Sequence, residues 1–518
     1  TSVQDTPIGM QAQKGRLRLK FKSRFAGKAE QAVYTRAGTG DIRIVSMKRL
    51  FPFAGKFEER TRKAGLHLWY EVEFDEQTPV TRALALLGDT TEIEIAEPVY
   101  IIRNTGGEGT VPVRSAGERN SDGTAPFNDP ELSRQWHYSN TGELPNSVAG
   151  ADINLFAAWQ KNQGSREVIV AVIDGGIDYR HEDLTGNVGN PAELFGEPGV
   201  DDDGNGYIDD IYGWNFINGT NQIEADDHGT PVAGTIGAEN NNGVGVCGIA
   251  GGHGGNTGVW LLSCQLFGTI DGREVSASFP EMIKYAADAG AVIAQNSWGY
   301  ENITYLPRAD QEAIDYFIQY AGVDERGEQT GPMKGGVVIF AAGNENKDYR
   351  TYPAAYEKVV SVAAYAPDYK KSWYSNFADW VDIAAPGGTY GYGRKYNGEC
   401  PVYSTLPDNQ YGYMQGTSMA CPHVSGIAAL IVSQFGGPGF TPEKLLAHLY
   451  QGTRDIDIYN PEYAGRLGIG AADAYLALAE DQGIAPQAVD TLYCGNTSGV
   501  VEVTWQIKAD EDDGKSFR

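Results

Sequence analysis

The chain has 518 residues, of which 41% are hydrophobic and 21% charged, the composition of a globular protein with room for roughly two to four domains rather than of a disordered one. Its 68 acidic residues against 41 basic ones give a formal charge of −27. A nucleic acid or an anionic membrane is thereby excluded as the main partner, whereas cations are drawn in.

The first 103 residues read as a small α+β unit. Leu17, Leu19 and Phe21 alternate with Arg16, Arg18 and Lys20, the period-two pattern of a half-buried strand. The stretch from Leu66 to Phe74 repeats it, Val80 to Leu87 after Pro79 reads as a short helix, and Ile93, Ile95, Val99 and Ile101 suggest a closing strand. Between 104 and 130 the periodicity gives way to Gly, Ser, Asn, Thr and Pro. This is a linker by composition, either a plain domain joint or a processing site.

From 131 to 485 the pattern becomes α/β. Val168 to Ile173 is a continuous apolar run, followed by others at Ala291–Ala294, Gly336–Ala342 and Val359–Ala363. Such runs are expected of parallel strands buried on both faces. Helical stretches at Thr230–Ala238, Ser278–Ala289, Arg308–Tyr320 and Met419–Phe435 alternate with them. The fold expected is therefore a doubly wound, mostly parallel sheet preceded by the small α+β unit, with the site at the carboxyl ends of the strands. Residues 486–518 read as a β segment or the start of a further domain, through Val501, Val503, Trp505 and Ile507. No apolar run approaches the roughly 18 residues of a membrane span, and no leader peptide is read at the start; the expectation is that the sequence begins either after processing or at an arbitrary boundary.

Three segments carry chemistry. Asp174 ends a buried strand in Ile173-Asp174-Gly175-Gly176, His228 opens a helix in Asp227-His228-Gly229-Thr230, and Ser418 enters another in Gly416-Thr417-Ser418-Met419-Ala420. A serine hydroxyl becomes nucleophilic when an imidazole takes its proton, and that imidazole needs a carboxylate to fix its tautomer. Each residue alone has an ordinary reading, Ser418 as a helix cap and Asp174 as a structural carboxylate. Together, in this order and wording, they resemble the subtilisin-like serine proteases over about Gln135 to Leu478. The resemblance implies Asp174 as orienting carboxylate, His228 as general base and Ser418 as nucleophile of a serine endopeptidase working through an acyl-enzyme. It also implies that Asn344, in Ala342-Gly343-Asn344-Glu345, donates to the oxyanion with the Ser418 N–H; its bland reading is a turn former. Ser297, Trp298 and Gly299 resemble the strand edge that pairs substrate backbone, and Ala341, Ala342 and Gly343 the opposite wall of the primary pocket. Trp298 stands where many relatives carry a smaller residue and either reshapes the subsites or covers core.

Cations form a second theme. Asp201, Asp203, Asn205, Tyr207, Asp209 and Asp210 place oxygens at alternating positions around Gly206, as in the first part of an EF-hand loop. Tyr212 at the twelfth position departs from it, so a calcium loop inserted in the α/β unit is expected, against a merely solvated acidic loop. By resemblance a second calcium site would draw on Asp183, Asn242 and Gln135 with the main chain of Val244 and Val246. Gly243-Val244-Gly245-Val246-Cys247-Gly248 satisfies GxGxxG, but it follows a helix and an Asn run, where a dinucleotide site needs a strand. A nucleotide oxidoreductase rests on that motif alone. His181 and His423 read as packing residues. Cys247 and Cys264 are near enough in sequence to bridge.

The front unit resembles the propeptide of these proteases, more weakly. It implies a proenzyme whose own pro-domain is an intramolecular inhibitor, stabilised by calcium, acting on proteins or peptides, secreted or tied to the cell envelope, and monomeric. The competing class is a protease-like scaffold locked for good by its pro-region.

Overall fold

The computed structural model describes residues 11–105, 111–112, 125–391, 395–480, 491–497 and 500–506. In the front unit, strands β1 (Ala12–Phe21), β2 (Ile44–Arg49), β3 (Trp69–Phe74) and β4 (Ile93–Tyr100) form an antiparallel sheet in the order β2-β3-β1-β4. Helices α1 (Ala29–Thr39) and α3 (Val80–Gly88) cover one face, where Leu17, Leu19, Val72 and Phe74 pack with Val33, Ala83 and Leu87; α2 (Glu58–Lys63) lies between β2 and β3. The strand expected from Leu66 starts only at Trp69, because Leu66–Leu68 wind into a 3₁₀ turn after Gly65 at φ +74°. Helices α1 and α2 were not foreseen.

The connecting segment contributes β5 (Ile102–Asn104) and β6 (Val111–Pro112). Next come β7 (Ile169–Asp174), β8 (Gly213–Asn215), β9 (Trp260–Gln265), the hairpin β10 (Phe267–Ile270) and β11 (Arg273–Ser276), β12 (Ile293–Asn296), β13 (Trp298–Tyr300), β14 (Val337–Ala341), β15 (Val360–Tyr365), β16 (Ile383–Pro386), the hairpin β17 (Val402–Leu406) and β18 (Gln410–Met414), β19 (Thr453–Arg454) and β20 (Ala471–Ala472). A central sheet runs β19-β20-β16-β15-β14-β12-β7-β9-β8, parallel throughout except for β19 against β20.

Alternate residues of β7 explain its unbroken apolar text. Val170 and Val172 join the core under α4 (Gly229–Gly237) and α7 (Thr417–Phe435), while Ala171 and Ile173 join the one under α5 (Phe279–Asp288) and α6 (Arg308–Tyr320). Helix α7 is long and apolar enough to cross a bilayer, which the sequence reading overlooked; it is the buried core helix of the sheet. Strands β21 (Thr491–Thr497) and β22 (Val500–Gln506) pair antiparallel; Ile507 lies outside the described residues.

The front sheet lays its second face on α5 and α6, so β1 is buried on both sides instead of half-exposed. Arg18, 1% exposed, pairs with Asp310 at 3.0 Å and lies 3.9 Å from Glu97 and 4.0 Å from Glu71. Arg16 reaches Glu71 at 2.6 Å. Glu97 accepts the first N–H groups of α6, from Arg308 at 2.8 Å and Ala309 at 3.1 Å. Two guanidinium groups cannot neutralise three buried carboxyls. Burial, with Asp310 beside it, pushes Glu97 up to about 7. Burial opposes ionisation of Glu71 too, but Arg16, Arg18 and the Ser278 hydroxyl outweigh it and hold it down at about 2.

Opposite pH dependences follow. Glu97 in the docked unit keeps a proton that the released unit loses, so its contribution is full below pH 4.5 and is lost as pH rises through 7. The Glu71 contribution is present above pH 4.5 and is lost as pH falls toward 2. Docking is expected to be strongest near pH 4.5–5. Melting of the front unit, followed by Trp69 fluorescence in a Ser418→Ala chain, checks this: Glu97→Gln should remove the decline between pH 5 and 7 and leave the acid loss in place.

Candidate active site

Parallel register brings three chain segments to one level. Asn296 of β12 pairs with Ile173 of β7 on one side and Phe340 of β14 on the other, so Asp174, Ser297 and Ala341 emerge side by side at the carboxyl edge. Asp174 Oδ1 accepts the His228 Nδ1–H at 2.7 Å and the Gly175 N–H at 2.7 Å. His228 sits at the entry of α4, where Asp226 Oδ1 accepts both the His228 and Gly229 N–H groups at 2.8 and 2.9 Å. A side chain at Gly229 would stand 2.2 Å from the Gly175 carbonyl oxygen, so this glycine lets helix and strand end approach.

Both groups are buried. Burial pushes the Asp174 carboxyl up, and the neighbouring imidazole pulls against it. Burial works to lower His228, yet Asp174, with Asp226 behind it, outweighs that and holds the ring above its ordinary value. His228 Nε2 has no hydrogen-bond partner. Ser418 occupies the first turn of α7 after Gly416 at φ +148°. Its hydroxyl donates to the Ser297 carbonyl at 3.2 Å and shares a 2.8 Å hydrogen bond with the Thr105 hydroxyl; the link from serine to histidine is not formed in this state.

Thr105 ends a tail that the front unit sends across the site. Ile102, Arg103 and Asn104 of β5 pair antiparallel with Tyr300, Gly299 and Trp298 of β13. The Thr105 N–H donates to the Ser297 carbonyl at 3.0 Å, and the Glu301 N–H to the Ile101 carbonyl at 3.1 Å. The Thr105 carbonyl oxygen then accepts from the Asn344 side-chain amide and, at 3.4 Å, from the Ser418 N–H. Asn344 is fixed by its own oxygen, which accepts from the Thr417 N–H at 2.9 Å and the Thr417 hydroxyl at 2.8 Å. It is no idle turn former.

The tail also sorts the residues expected to hold a substrate. Gly299, Ala341 and Gly343 line a cleft beside Thr105 with Thr351 and Tyr352. Ala342 is fully buried, and its carbonyl accepts from Thr351 and Asn376. The Trp298 side chain packs edge-on against Phe279, Phe340 and Tyr300, and its N–H reaches Asn296 at 3.2 Å. Its backbone faces the tail while its ring belongs to the core.

Residues 165–470 match the family model described as "Subtilase family", and residues 27–142 match "N-terminal of Subtilase family". The chain belongs to the subtilase family. Among its relatives, "Thermophilic serine proteinase" of Bacillus sp. (strain AK1) is 33% identical over 278 residues, covering 54% of this chain and 55% of the relative. "Halolysin-like extracellular serine protease Nep" of Natrialba magadii is 30% identical over 348 residues, covering 66% of this chain and 54% of the relative. This subtilase thus spans about half the length of those curated relatives. The crystal structure of fervidolysin from Fervidobacterium pennivorans superposes with a TM-score of 0.57 at 20% identity, covering 97% of this chain and 68% of that one, a likeness of fold.

The acidic loop of this subtilase is organised as an oxygen cage. Asp201, Asp203 and Glu193 bring carboxylate oxygens within 4.8 Å of one another. Glu193 was missed in the sequence because it lies outside the loop; the visible signal is Asn190-Pro191, a cap and first-turn proline for the short helix that carries it. Asp210 Oδ1 and Glu193 Oε2 are buried without a donor. Burial and the facing Asp210 push Asp203 up to about 8, and burial lifts Asp210 to about 6. Asn205 donates its side-chain N–H to Asp203 and Asp210 at 3.0 and 3.2 Å. Asp209 turns outward to the Gly199 N–H, and the Tyr207 hydroxyl donates to Glu281 at 3.0 Å.

The second expected cage is closed by internal hydrogen bonds. Asp183 accepts from Asn242 at 2.8 Å and from the Val246 N–H at 2.7 Å, and the Asn242 oxygen accepts from the Val244 N–H at 2.8 Å. Gln135 pairs in both directions with the Cys247 main chain, at 2.8 and 2.9 Å. Cys247 and Cys264 are free thiols and do not bridge. The GxGxxG run lies in a loop after α4, with no strand before it. His423 and His181 pack as expected of buried rings, His423 against His137 at 2.7 Å and His181 onto the Gln410 carbonyl at 3.0 Å.

Proposed function

We propose that this subtilase is the latent form of a serine endopeptidase, with the front unit as its intramolecular inhibitor and the Thr105–Gly106 bond as its first substrate. The observation that carries the reading is the Thr105 carbonyl, seated between Asn344 and the Ser418 N–H with its strand paired to β13. Such a seat suits the oxygen of a carbonyl under attack. The division at 103 with a linker to 130 becomes, in this proposal, a cut after Thr105.

In the reaction, the Ser418 hydroxyl leaves the Ser297 carbonyl, passes its proton to His228 Nε2 and attacks the Thr105 carbonyl carbon. The C=O pair moves onto oxygen, where the Asn344 amide and the Ser418 N–H receive it. Asp174 keeps the Nδ1 proton in place and faces the imidazolium. His228 then gives its proton to the Gly106 nitrogen as the C–N bond breaks, leaving the acyl-enzyme. Water, deprotonated by His228, releases the Thr105 carboxylate. The same residues would act on other proteins or peptides. Sequencing the purified chain over time is expected to give a new terminus at Gly106, with Ser418 labelled by a fluorophosphonate. A chain that stays intact and unlabelled would instead be the permanently locked scaffold. Asn344→Ala is expected to slow turnover about 10²–10³-fold with little change in KM, read by steady-state kinetics on a peptide.

Calcium belongs to the same proposal. The buried, donor-free oxygens of Asp210 and Glu193 fit a hard cation held with Asp201, Asp203 and Asn205; bound there it would supply structural stability. Stability rises with the logarithm of cation over Kd, about 2.7 kcal/mol at a hundredfold excess. A chelator should therefore lower Tm by several degrees, and Asp203→Asn should abolish that sensitivity. We also assign the protein to the cell exterior or envelope, supported by the printed name of the Natrialba relative.

A further inference from the structure

Far from the nucleophile, α2 of the front unit sends one side chain into the second unit. Arg60 is 3% exposed. Its Nε donates to the Tyr316 hydroxyl at 2.7 Å, its Nη1 to the Val323 and Asp324 carbonyls at 3.0 Å each, and its Nη2 to Asp288 Oδ1 at 2.7 Å. The guanidinium also lies 4.1 Å from the Phe57 ring centroid and 5.5 Å from those of Tyr316 and Tyr320. Every acceptor lies in the second unit, on α5, α6 or the turn after α6.

The cradle has contacts of its own within the second unit. The Tyr316 hydroxyl donates to Asp288 Oδ1 at 2.7 Å, and Lys284 one turn earlier pairs with Asp288 Oδ2. The carboxylate is thus also held and partly neutralised by groups of its own unit. Two carbonyls, a hydroxyl oxygen and a carboxylate in fixed directions match a planar fork of N–H donors, which a lysine cannot offer. By contrast, Arg62 on the same helix stays 56% exposed and pairs with Glu58 of its own helix at 2.9 Å.

We propose that this pocket is a guanidinium-selective docking site that holds the front unit on the enzyme after the chain is cut, with Arg60 as its anchor. The inference rests on the cleavage reading above, and its test separates the two. Cleavage is followed by mass spectrometry of the full chain, retention by co-elution of the 105-residue fragment with the larger one on size exclusion, and latency by the lag before peptide hydrolysis. Arg60→Gln and Asp288→Asn should be cut at the wild-type rate yet lose the fragment at least about tenfold faster, since removing one partner of a buried charged pair acts on dissociation. Arg60→Lys should restore little of the retention, and Arg62→Gln should behave as wild type. Retention by Arg60→Gln as long as by wild type would overturn the proposal. If no chain is cut, the cleavage reading fails. Docking is then read in Ser418→Ala by hydrogen exchange, where Arg60→Gln should lower protection of the β3 amides at least about tenfold and unchanged protection would refute the anchor.

Discussion

Ser418→Ala is expected to stop peptide hydrolysis, with kcat reduced about 10⁶-fold, and to leave the Thr105–Gly106 bond whole. In the proposed reaction the size of the effect follows from what the hydroxyl would do: no neighbouring group can take its place as the atom that bonds to the carbonyl carbon. Ala also removes the hydrogen bonds to Ser297 and Thr105, but the β13 pairing and the Asn344 contact remain, so the tail should stay seated. The measurement is paired: steady-state hydrolysis against a mass spectrum of the same sample after prolonged incubation. An uncut, inactive chain with an unchanged Tm is the expected outcome. Cleavage at Gly106 in the purified variant would remove Ser418 from its role.

Asp174→Asn is the second large effect, about 10⁴-fold in kcat. In the proposed reaction the carboxylate holds the Nδ1 proton and faces the cation that would form on the ring. An amide of nearly the same shape can offer N–H where oxygen is needed, turning His228 to the tautomer whose Nε2 cannot accept from Ser418. The pH profile gives a second readout. Asp174 and Asp226 hold His228 above its ordinary 6.5, so the acid limb of kcat/KM should lie above that value. Loss of Asp174 should move what remains of the limb to lower pH. A profile that stays in place would mean another group governs it.

The sequence made the site legible because its residues sit where local chemistry leaves little choice. Asp174 closes an apolar run of the kind expected of a strand buried on both faces, Gly416 marks the turn into α7, and Gly229 lets α4 approach the end of β7. Thr105 was invisible for the opposite reason. Nothing about a threonine at the edge of a Gly-rich linker says that β5 will pair with β13, nearly two hundred residues away in sequence. Glu193 and Arg60 were hidden likewise, each reaching its partners through tertiary contact across a sequence gap. The Arg16-Arg18-Lys20 alternation misled, since the rule that assigns charges to water holds only while no second unit covers that face.

The inward turn of the Trp298 ring has a bearing on diet. Along β13 the tail is paired through amides and carbonyls, and its side chains are held as well: Ile102 is buried, Arg103 pairs with Glu301 at 3.0 Å, and Tyr100 stands edge-on to Tyr300 and Tyr305. In the proposed enzyme a reshaped Thr351 or Tyr352, which line the cleft beside Thr105, should retune what is cut, while a smaller residue at Trp298 should first loosen the core its ring fills.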